Sequence, residues 1–105
     1  MRNKYNAIKC THDGIKFDSK KELNRYLYLK LLLNNGKISN LETHPRFDLI
    51  VNGIKIGRYT ADFRYNIKGE VIIEDVKSKA TKTRDYILRK KILLTYNPPV
   101  VITEV

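Results

Sequence analysis

The chain has a single cysteine, no long apolar run and half as many acidic as basic residues, and each shortage excludes a class of protein. With Cys10 alone, no internal disulfide can form, which is typical of proteins of the reducing cytoplasm. Cys10 and His12 offer only two ligands, too few for a zinc site. No apolar segment approaches the roughly 20 residues that span a bilayer, and the N-terminal residues lack the apolar core of a signal peptide. We therefore expect a cytoplasmic protein.

What the sequence has in excess is positive charge. There are 21 Lys and Arg residues against 11 Asp and Glu, which gives a net charge of +10 in only 105 residues. These cations are spread along the chain, so the positive field belongs to a folded surface rather than to a tail. A single small domain with this charge is expected to bind a polyanion, nucleic acid before an acidic membrane. We expect DNA as the partner, and neither a membrane nor a small-molecule cofactor.

Turn and capping signals predict an α+β domain. A capping box at Ser19–Glu22 begins a first helix, and Asn34-Asn35-Gly36 ends it. The predicted order is a hairpin over 4–17, the first helix, strands over 46–51, 54–65 and 71–76, a second helix over 84–96 and a last strand over 100–105. This order indicates an α+β or mixed α/β sandwich around one sheet, with a helix before and a helix after a central antiparallel run of three strands.

The first helix has apolar residues nearly all round. Only Asn24, Arg25 and Lys30 leave thin polar gaps in its sequence. Because such a helix has to be buried on more than one side, and a domain of this size has little surface to cover it, we expect a homodimer.

The segment from Tyr59 to Lys77 is predicted to form a hairpin that carries the chemistry. Its first arm alternates apolar and polar residues, its second arm is β-branched, and Lys68-Gly69 is the turn, although Lys is a poor first residue there. In a hairpin with this two-residue loop, Asp62 lies opposite Asp75, and Thr60 lies opposite Lys77. Directly opposed carboxylates repel by up to about 1 kcal/mol.

A divalent cation between the two acids would turn this repulsion into a binding site. Mg²⁺ takes carboxylate, water and phosphate oxygens, and Lys77 beside it could orient the attacking water or neutralise charge on phosphorus. The pattern is weak by itself, since Asp18-Ser19-Lys20 matches it too. Asp75 and Lys77 are equally compatible with a solvated strand edge.

Glu22 and the basic residues after Lys77 each have two interpretations. The Glu22 carboxylate either turns back to the Ser19 amide as part of the capping box or leans towards Asp62 as a third metal ligand. The basic residues are either solvated charges or contacts to a DNA backbone at the mouth of the acidic site. They are Lys79, Lys82, Arg84, Arg89, Lys90 and Lys91.

The segments FDSKKE, YTADFRY and IIEDVKS, followed by a basic helix, resemble the PD-(D/E)xK nucleases. They are similar in particular to small phage-encoded proteins related to endonuclease I and the Holliday-junction resolvases. The resemblance covers about residues 5–96. It implies a restriction-endonuclease-like mixed sheet, metal ligation by Asp62, Asp75 and Glu22, and Lys77 as the catalytic lysine. It also implies Mg²⁺, with Mn²⁺ as a substitute, and a homodimer that cuts branched DNA.

Two positions bear on the match. Ala61 stands where the motif name has proline, and both Glu74 and Asp75 are acidic; alternation places Asp75, not Glu74, on the face of Lys77.

Three hypotheses follow. The first is a metal-dependent DNA endonuclease, structure-specific and acting in phage DNA metabolism. The second is a catalytically silent basic DNA-binding or assembly protein on the same fold, which would have no need of the acids. The third, an inhibitor that binds an acidic protein, leaves the opposed acids unexplained.

Overall fold

The computed structural model describes residues 9–77 and 82–105, and in them it has the predicted mixed α+β architecture. The elements are β1 (Cys10–His12), β2 (Ile15–Phe17), α1 (Lys20–Asn34), β3 (Ser39–Thr43), β4 (Arg46–Val51), β5 (Ile54–Thr60), β6 (Phe63–Ile67), β7 (Glu70–Asp75), α2 (Arg84–Leu94) and β8 (Thr103–Glu104). Residues 4–8 of the predicted first hairpin lie outside the described residues. The predicted last strand is reduced to the short β8.

The strands of the described residues form three sheets rather than one. A four-stranded mixed sheet has the order β3-β6-β7-β8, in which only the β7–β8 pair is parallel, and β1–β2 and β4–β5 are separate hairpins. Both antiparallel pairings of the predicted central run are confirmed, since β5 pairs with β4 and β6 pairs with β7, but the predicted middle strand is divided into β5 and β6, which belong to different sheets. The β6–β7 pairing ends at Phe63 opposite Glu74, and Thr60 lies opposite Arg46, so the predicted pairing of Thr60 with Lys77 does not form.

The chain passes from the four-stranded sheet to the β4–β5 hairpin between β3 and β4, and returns between β5 and β6. Hydrogen bonds join these two points. Between β5 and β6, the Ala61 N–H donates to the Pro45 carbonyl (3.0 Å), and the Asp62 carbonyl accepts from the His44 N–H (2.9 Å). Pro45 itself has no N–H to continue a ladder. The segment between β3 and β4 and the segment between β5 and β6 therefore lie side by side. The candidate site is at this junction.

A capping residue begins each helix, and for the first helix it is the residue that the sequence predicts. The Ser19 Oγ accepts from the Glu22 N–H at the start of α1, and Gly36 follows its end with a φ of 69°. Thr83 caps α2 in the same way. An N-cap of this kind typically stabilises a helix by about 1 kcal/mol.

Two apolar clusters form the core. Phe17, Tyr26, Leu29 and Phe63 belong to the cluster beneath α1. The other cluster lies beneath α2 and includes Leu49, Tyr59, Ala61, Ile73, Tyr86 and Leu93. The alternation predicted for the segment before β7 is confirmed, since Tyr59, Ala61, Phe63 and Tyr65 are all buried. In the described residues, neither helix has the length and apolar character needed to cross a membrane.

Within the part of the chain that the structure describes, one face of α1 is buried and another is left exposed. Leu27, Tyr28 and Leu31 remain 42%, 49% and 57% exposed on this helix. The homodimer stays a prediction, and these side chains are where a second copy would pack.

We expect Leu31→Glu to shift the protein towards a monomer, because a charge in an apolar interface is costly to desolvate. Sedimentation velocity at several concentrations measures this. Leu88→Glu is the matched control, since Leu88 is similarly exposed (58%) but lies on α2. Equal effects of the two substitutions would contradict an interface on α1.

Candidate metal and phosphodiester site

The β6–β7 hairpin brings the two predicted acids together. Its register runs from Ile67 opposite Glu70 to Phe63 opposite Glu74, as predicted. Lys68 and Gly69 have φ values of 49° and 81°, the left-handed conformation that both central residues of a type I′ turn require. At the end of the hairpin away from this turn, the last paired residues are Phe63 and Glu74, and Asp62 and Asp75 lie just beyond them.

Backbone hydrogen bonds connect Asp62 and Asp75. The Asp62 N–H donates to Asp75 Oδ1 (3.0 Å), and the Val76 N–H donates to Asp62 Oδ2 (2.7 Å). Each carboxylate is thus held by an amide of the other strand. These contacts confirm the predicted proximity of the two acids and fix one oxygen of each.

The other carboxylate oxygen of Asp75, Oδ2, is buried without a hydrogen bond among the described residues. Asp75 is 1% exposed, and its Oδ2 has no hydrogen-bond partner among the described residues. Burial raises the pKa of Asp75 to about 6, against the opposing effect of the Lys77 charge. A buried carboxylate oxygen without a partner is costly, and a bound cation would satisfy it.

Lys77 lies beside both acids. Its charge opposes the burial that raises the pKa of Asp62 and of Asp75. The Lys77 Nζ lies 4.7 Å from the centre of the Tyr86 ring, and its carbonyl accepts from Lys21 Nζ (3.1 Å). The face of the Tyr86 ring therefore limits where the Lys77 side chain can move.

Glu22 takes the second of its two predicted orientations. Its carboxylate does not return to the Ser19 amide. Oε1 lies 2.9 Å from His44 Nε2, and Oε2 accepts from the Asp18 N–H (3.4 Å). Burial first, and then the negative charge of Asp62, raises the pKa of Glu22. The start of α1 therefore brings a third acid to the Asp62 side of the site.

His44 is the residue that sequence reasoning missed. One ligand atom from each of Glu22, His44 and Asp62 lies within 4.8 Å of the others, a spacing at which the three could hold one metal ion. The only local signal was a histidine just before Pro45. Its approach to Asp62 depends on the pairing of β3 with β6, which no short pattern in the sequence specifies.

Glu74 is held away from this site, as alternation predicted. Its carboxylate accepts two hydrogen bonds from Arg25 on α1 (2.9 and 2.7 Å) and a further one from the Tyr65 hydroxyl. A buried carboxylate with this many donors is already satisfied, so Glu74 has a structural role.

A pocket of about 260 Å³ is lined by Lys21, Asn24, Arg25, Tyr28, Val76 and Val105. None of the candidate acids lines it, and its Arg25 binds Glu74, which is held away from the candidate site.

The predicted basic residues differ in what they contact. Lys82 and Lys90 bind Glu104 on β8 (3.1 and 3.3 Å), and Lys90 also acts electrostatically on Asp75. Arg89 binds the Arg58 carbonyl and Asp85. Arg84 and Lys91 are exposed on α2. Lys79 lies outside the described residues.

Glu104 joins β8 to α2 through three donors. The Tyr86 hydroxyl donates to its carboxylate (2.7 Å), and with Lys82 and Lys90 this hydrogen bond lowers the pKa of Glu104 to about 2. A lowered pKa means that the ionised carboxylate stabilises the fold above its unfolded value of about 4.5, and that this stabilisation is lost as the pH falls towards 2.

We therefore expect Glu104→Gln to lower the free energy of unfolding at pH 7 by up to about 1 kcal/mol, a small effect because solvent screens this group. The difference from the unsubstituted protein should shrink between pH 4.5 and 2. Urea denaturation across this range measures it, with Glu70→Gln at the exposed start of β7 as the control. A difference that is constant with pH would contradict the ionic role of Glu104.

Comparison with known proteins gives a family but no activity. No curated protein and no solved structure matches the chain. The model of one protein family, described as protein of unknown function (DUF1064), matches residues 2–102. Since this match covers nearly the whole sequence, the chain belongs to the DUF1064 family.

Proposed function

We propose that this protein is a metal-dependent DNA endonuclease of the PD-(D/E)xK type that hydrolyses phosphodiester bonds. The observation that carries the proposal is the fully buried Asp75, hydrogen-bonded to Asp62 and left with an unpartnered Oδ2 among the described residues. A fold that only had to bind DNA would gain stability by replacing this carboxylate with a neutral group.

The residues present fit a divalent cation. Asp62, Asp75 and Glu22 supply carboxylate oxygens, the donors that Mg²⁺ and Mn²⁺ take in proteins. Mg²⁺ is the ion that the resemblance implies, with Mn²⁺ as a substitute. When bound, such an ion polarises a phosphate oxygen and makes a bound water more acidic.

The protein's own groups would position the substrate around that ion. The Lys77 ammonium, held over Tyr86, could orient the attacking water or neutralise charge on the phosphoryl oxygens. Its neighbour Lys21 approaches the same strand end. Fixing these charges before the substrate arrives avoids the cost of ordering them during the reaction.

DNA would be held chiefly through its phosphates. Arg84 and Lys91 are exposed on the helix that follows the catalytic strand, and each phosphate contact releases counterions, so binding should weaken as salt rises. No base-reading motif occurs in the sequence, which favours recognition of DNA shape. Branched DNA as substrate, the pairing of two active sites in a homodimer and a phage origin come from the resemblance alone.

A cleavage assay tests the proposal. Supercoiled plasmid and a four-way DNA junction are incubated with the protein in Mg²⁺, in Mn²⁺ and in EDTA. We expect cleavage with either ion, faster on the junction, and none in EDTA. Salt-sensitive binding without cleavage in any metal would overturn the proposal in favour of a non-catalytic DNA-binding protein.

A further inference from the structure

We propose that His44 is a nitrogen ligand of the divalent ion and that it biases this site towards transition-metal ions over Mg²⁺. This inference rests on the proposed metal site and specifies which ions it prefers. The resemblance implied three carboxylates and Mg²⁺. The arrangement of α1, β3 and the β5–β6 junction brings an imidazole to two of these carboxylates, Glu22 and Asp62.

The geometry is that of a site with both carboxylate and imidazole ligands. Glu22, His44 and Asp62 each offer a ligand atom, and these atoms are mutually within 4.8 Å. The His44 Nε2 faces Glu22 Oε1 at 2.9 Å. Since ligands of one ion lie about 2.0–2.6 Å from it, atoms this close can share an ion without a change of fold.

The backbone of His44 has a conformation that is uncommon for a residue before proline. His44 has a φ of 54° and precedes Pro45, although a residue before proline prefers an extended backbone with negative φ. Strain of this kind costs roughly 1–3 kcal/mol and concentrates at functional sites. The backbone N–H of His44 donates to the backbone carbonyl of Asp62 (2.9 Å), so the backbones of the two candidate ligands are joined.

The imidazole nitrogen determines the expected ion preference. Mg²⁺ is hard, prefers oxygen ligands and loses its waters reluctantly. Imidazole suits Zn²⁺, Fe²⁺ and Ni²⁺, and affinity for such ions generally rises from Mn²⁺ through Co²⁺ to Ni²⁺. A site with two carboxylates and His44 should therefore bind Co²⁺ and Mn²⁺ more tightly than Mg²⁺. This preference for Co²⁺ and Mn²⁺ over Mg²⁺ should depend on the His44 side chain.

The chain offers a matched control because it has two histidines. His12 is half exposed, lies on β1 and approaches Asp13 rather than the acids of the site. His12→Gln therefore removes an imidazole from the protein without touching the proposed ligand set, whereas His44→Gln removes the proposed ligand and leaves a group that can still hydrogen-bond to Glu22.

Two measurements, both starting from metal-free protein to which an ion is added, test the inference without any assay of cleavage. Isothermal titration with Co²⁺, Mn²⁺ and Mg²⁺ gives the affinities, and electron spin echo spectroscopy of bound Mn²⁺ detects a coordinated nitrogen. For the unsubstituted protein and His12→Gln we expect tighter binding of Co²⁺ than of Mg²⁺ and a nitrogen signal. For His44→Gln we expect Co²⁺ affinity to fall on the order of tenfold or more, Mg²⁺ affinity to change little, and the nitrogen signal to disappear.

The outcomes separate this inference from the proposed function. If Mn²⁺ binds but the unsubstituted protein shows no nitrogen signal, or if His44→Gln leaves the ion preference unchanged, His44 is not a ligand and only this inference fails. If the unsubstituted protein binds none of the three ions, the metal site and the proposed endonuclease fail together. Circular dichroism of each variant establishes whether a loss of affinity reflects a loss of fold. The nitrogen signal of the unsubstituted protein tests the inference even if a variant fails to fold.

Discussion

Asp62→Asn is expected to reduce metal-dependent DNA cleavage by about a thousandfold or more while leaving DNA binding intact. Asparagine keeps an oxygen that can accept from the Val76 N–H, so the local fold should survive. It removes the negative charge that would hold the cation, and catalysis that depends on a bound metal loses most of its rate with that charge. Removing one negative charge beside a polyanion should also strengthen DNA binding modestly.

Cleavage rate and DNA affinity, measured on the same junction, test this separation. Asp48→Asn is the control, because Asp48 forms an exposed surface pair with Lys55. We expect Asp48→Asn to change neither quantity appreciably. Loss of DNA binding in Asp62→Asn, or cleavage close to that of the unsubstituted protein, would contradict a role for Asp62 in holding the metal.

The second large effect concerns stability. In EDTA at pH 8, Asp75→Asn is expected to stabilise the fold, because it replaces a buried charge whose second oxygen has no partner among the described residues. The pKa of Asp75 is raised from 3.8 to about 6, and each pKa unit corresponds to about 1.4 kcal/mol. Allowing for the amide that the substitution buries, we expect a gain of about 1–2 kcal/mol, or a rise in Tm of at least about 4 °C.

The sign of the pH dependence follows from that raised pKa. In the folded state Asp75 binds its proton more tightly than in the unfolded state, so the metal-free protein loses stability as the pH rises from about 4 to 6. The advantage of Asp75→Asn should accordingly be full at pH 8 and small at pH 4. Thermal denaturation at both values measures it, and lower stability of Asp75→Asn at pH 8 would contradict the account. The same substitution should abolish cleavage, so stability and activity would change in opposite directions.

Local signals in the sequence predicted the parts of the site that depend on neighbours in the chain. Lys68-Gly69 fixed the hairpin register and so brought Asp62 to Asp75. Ser19 and Gly36 marked the ends of α1. The period of two along the segment after Tyr59 identified which residues enter the core, because alternate side chains of a strand face opposite sides even where the strand is interrupted.

Features that depend on distant pairing were not predictable in this way. The break at Ala61 and Asp62 arises from hydrogen bonds to His44 and Pro45, which belong to a different ribbon. The same contact brings His44 to the acids. The all-round apolar sequence of α1 suggested burial on several sides, yet Leu31 stays exposed in the single chain, since sequence alone does not say whether another copy covers a helix.

The central claim is that Asp62, Asp75 and Glu22 hold a divalent ion, and a crystal of the protein grown with Mn²⁺ tests it most directly. Anomalous diffraction locates manganese independently of any assumed ligand. We expect one or more manganese peaks within ligand distance of Asp62 and Asp75, with Glu22 beside them. A fully ordered site without a peak at millimolar Mn²⁺, or manganese bound only elsewhere on the surface, would contradict it.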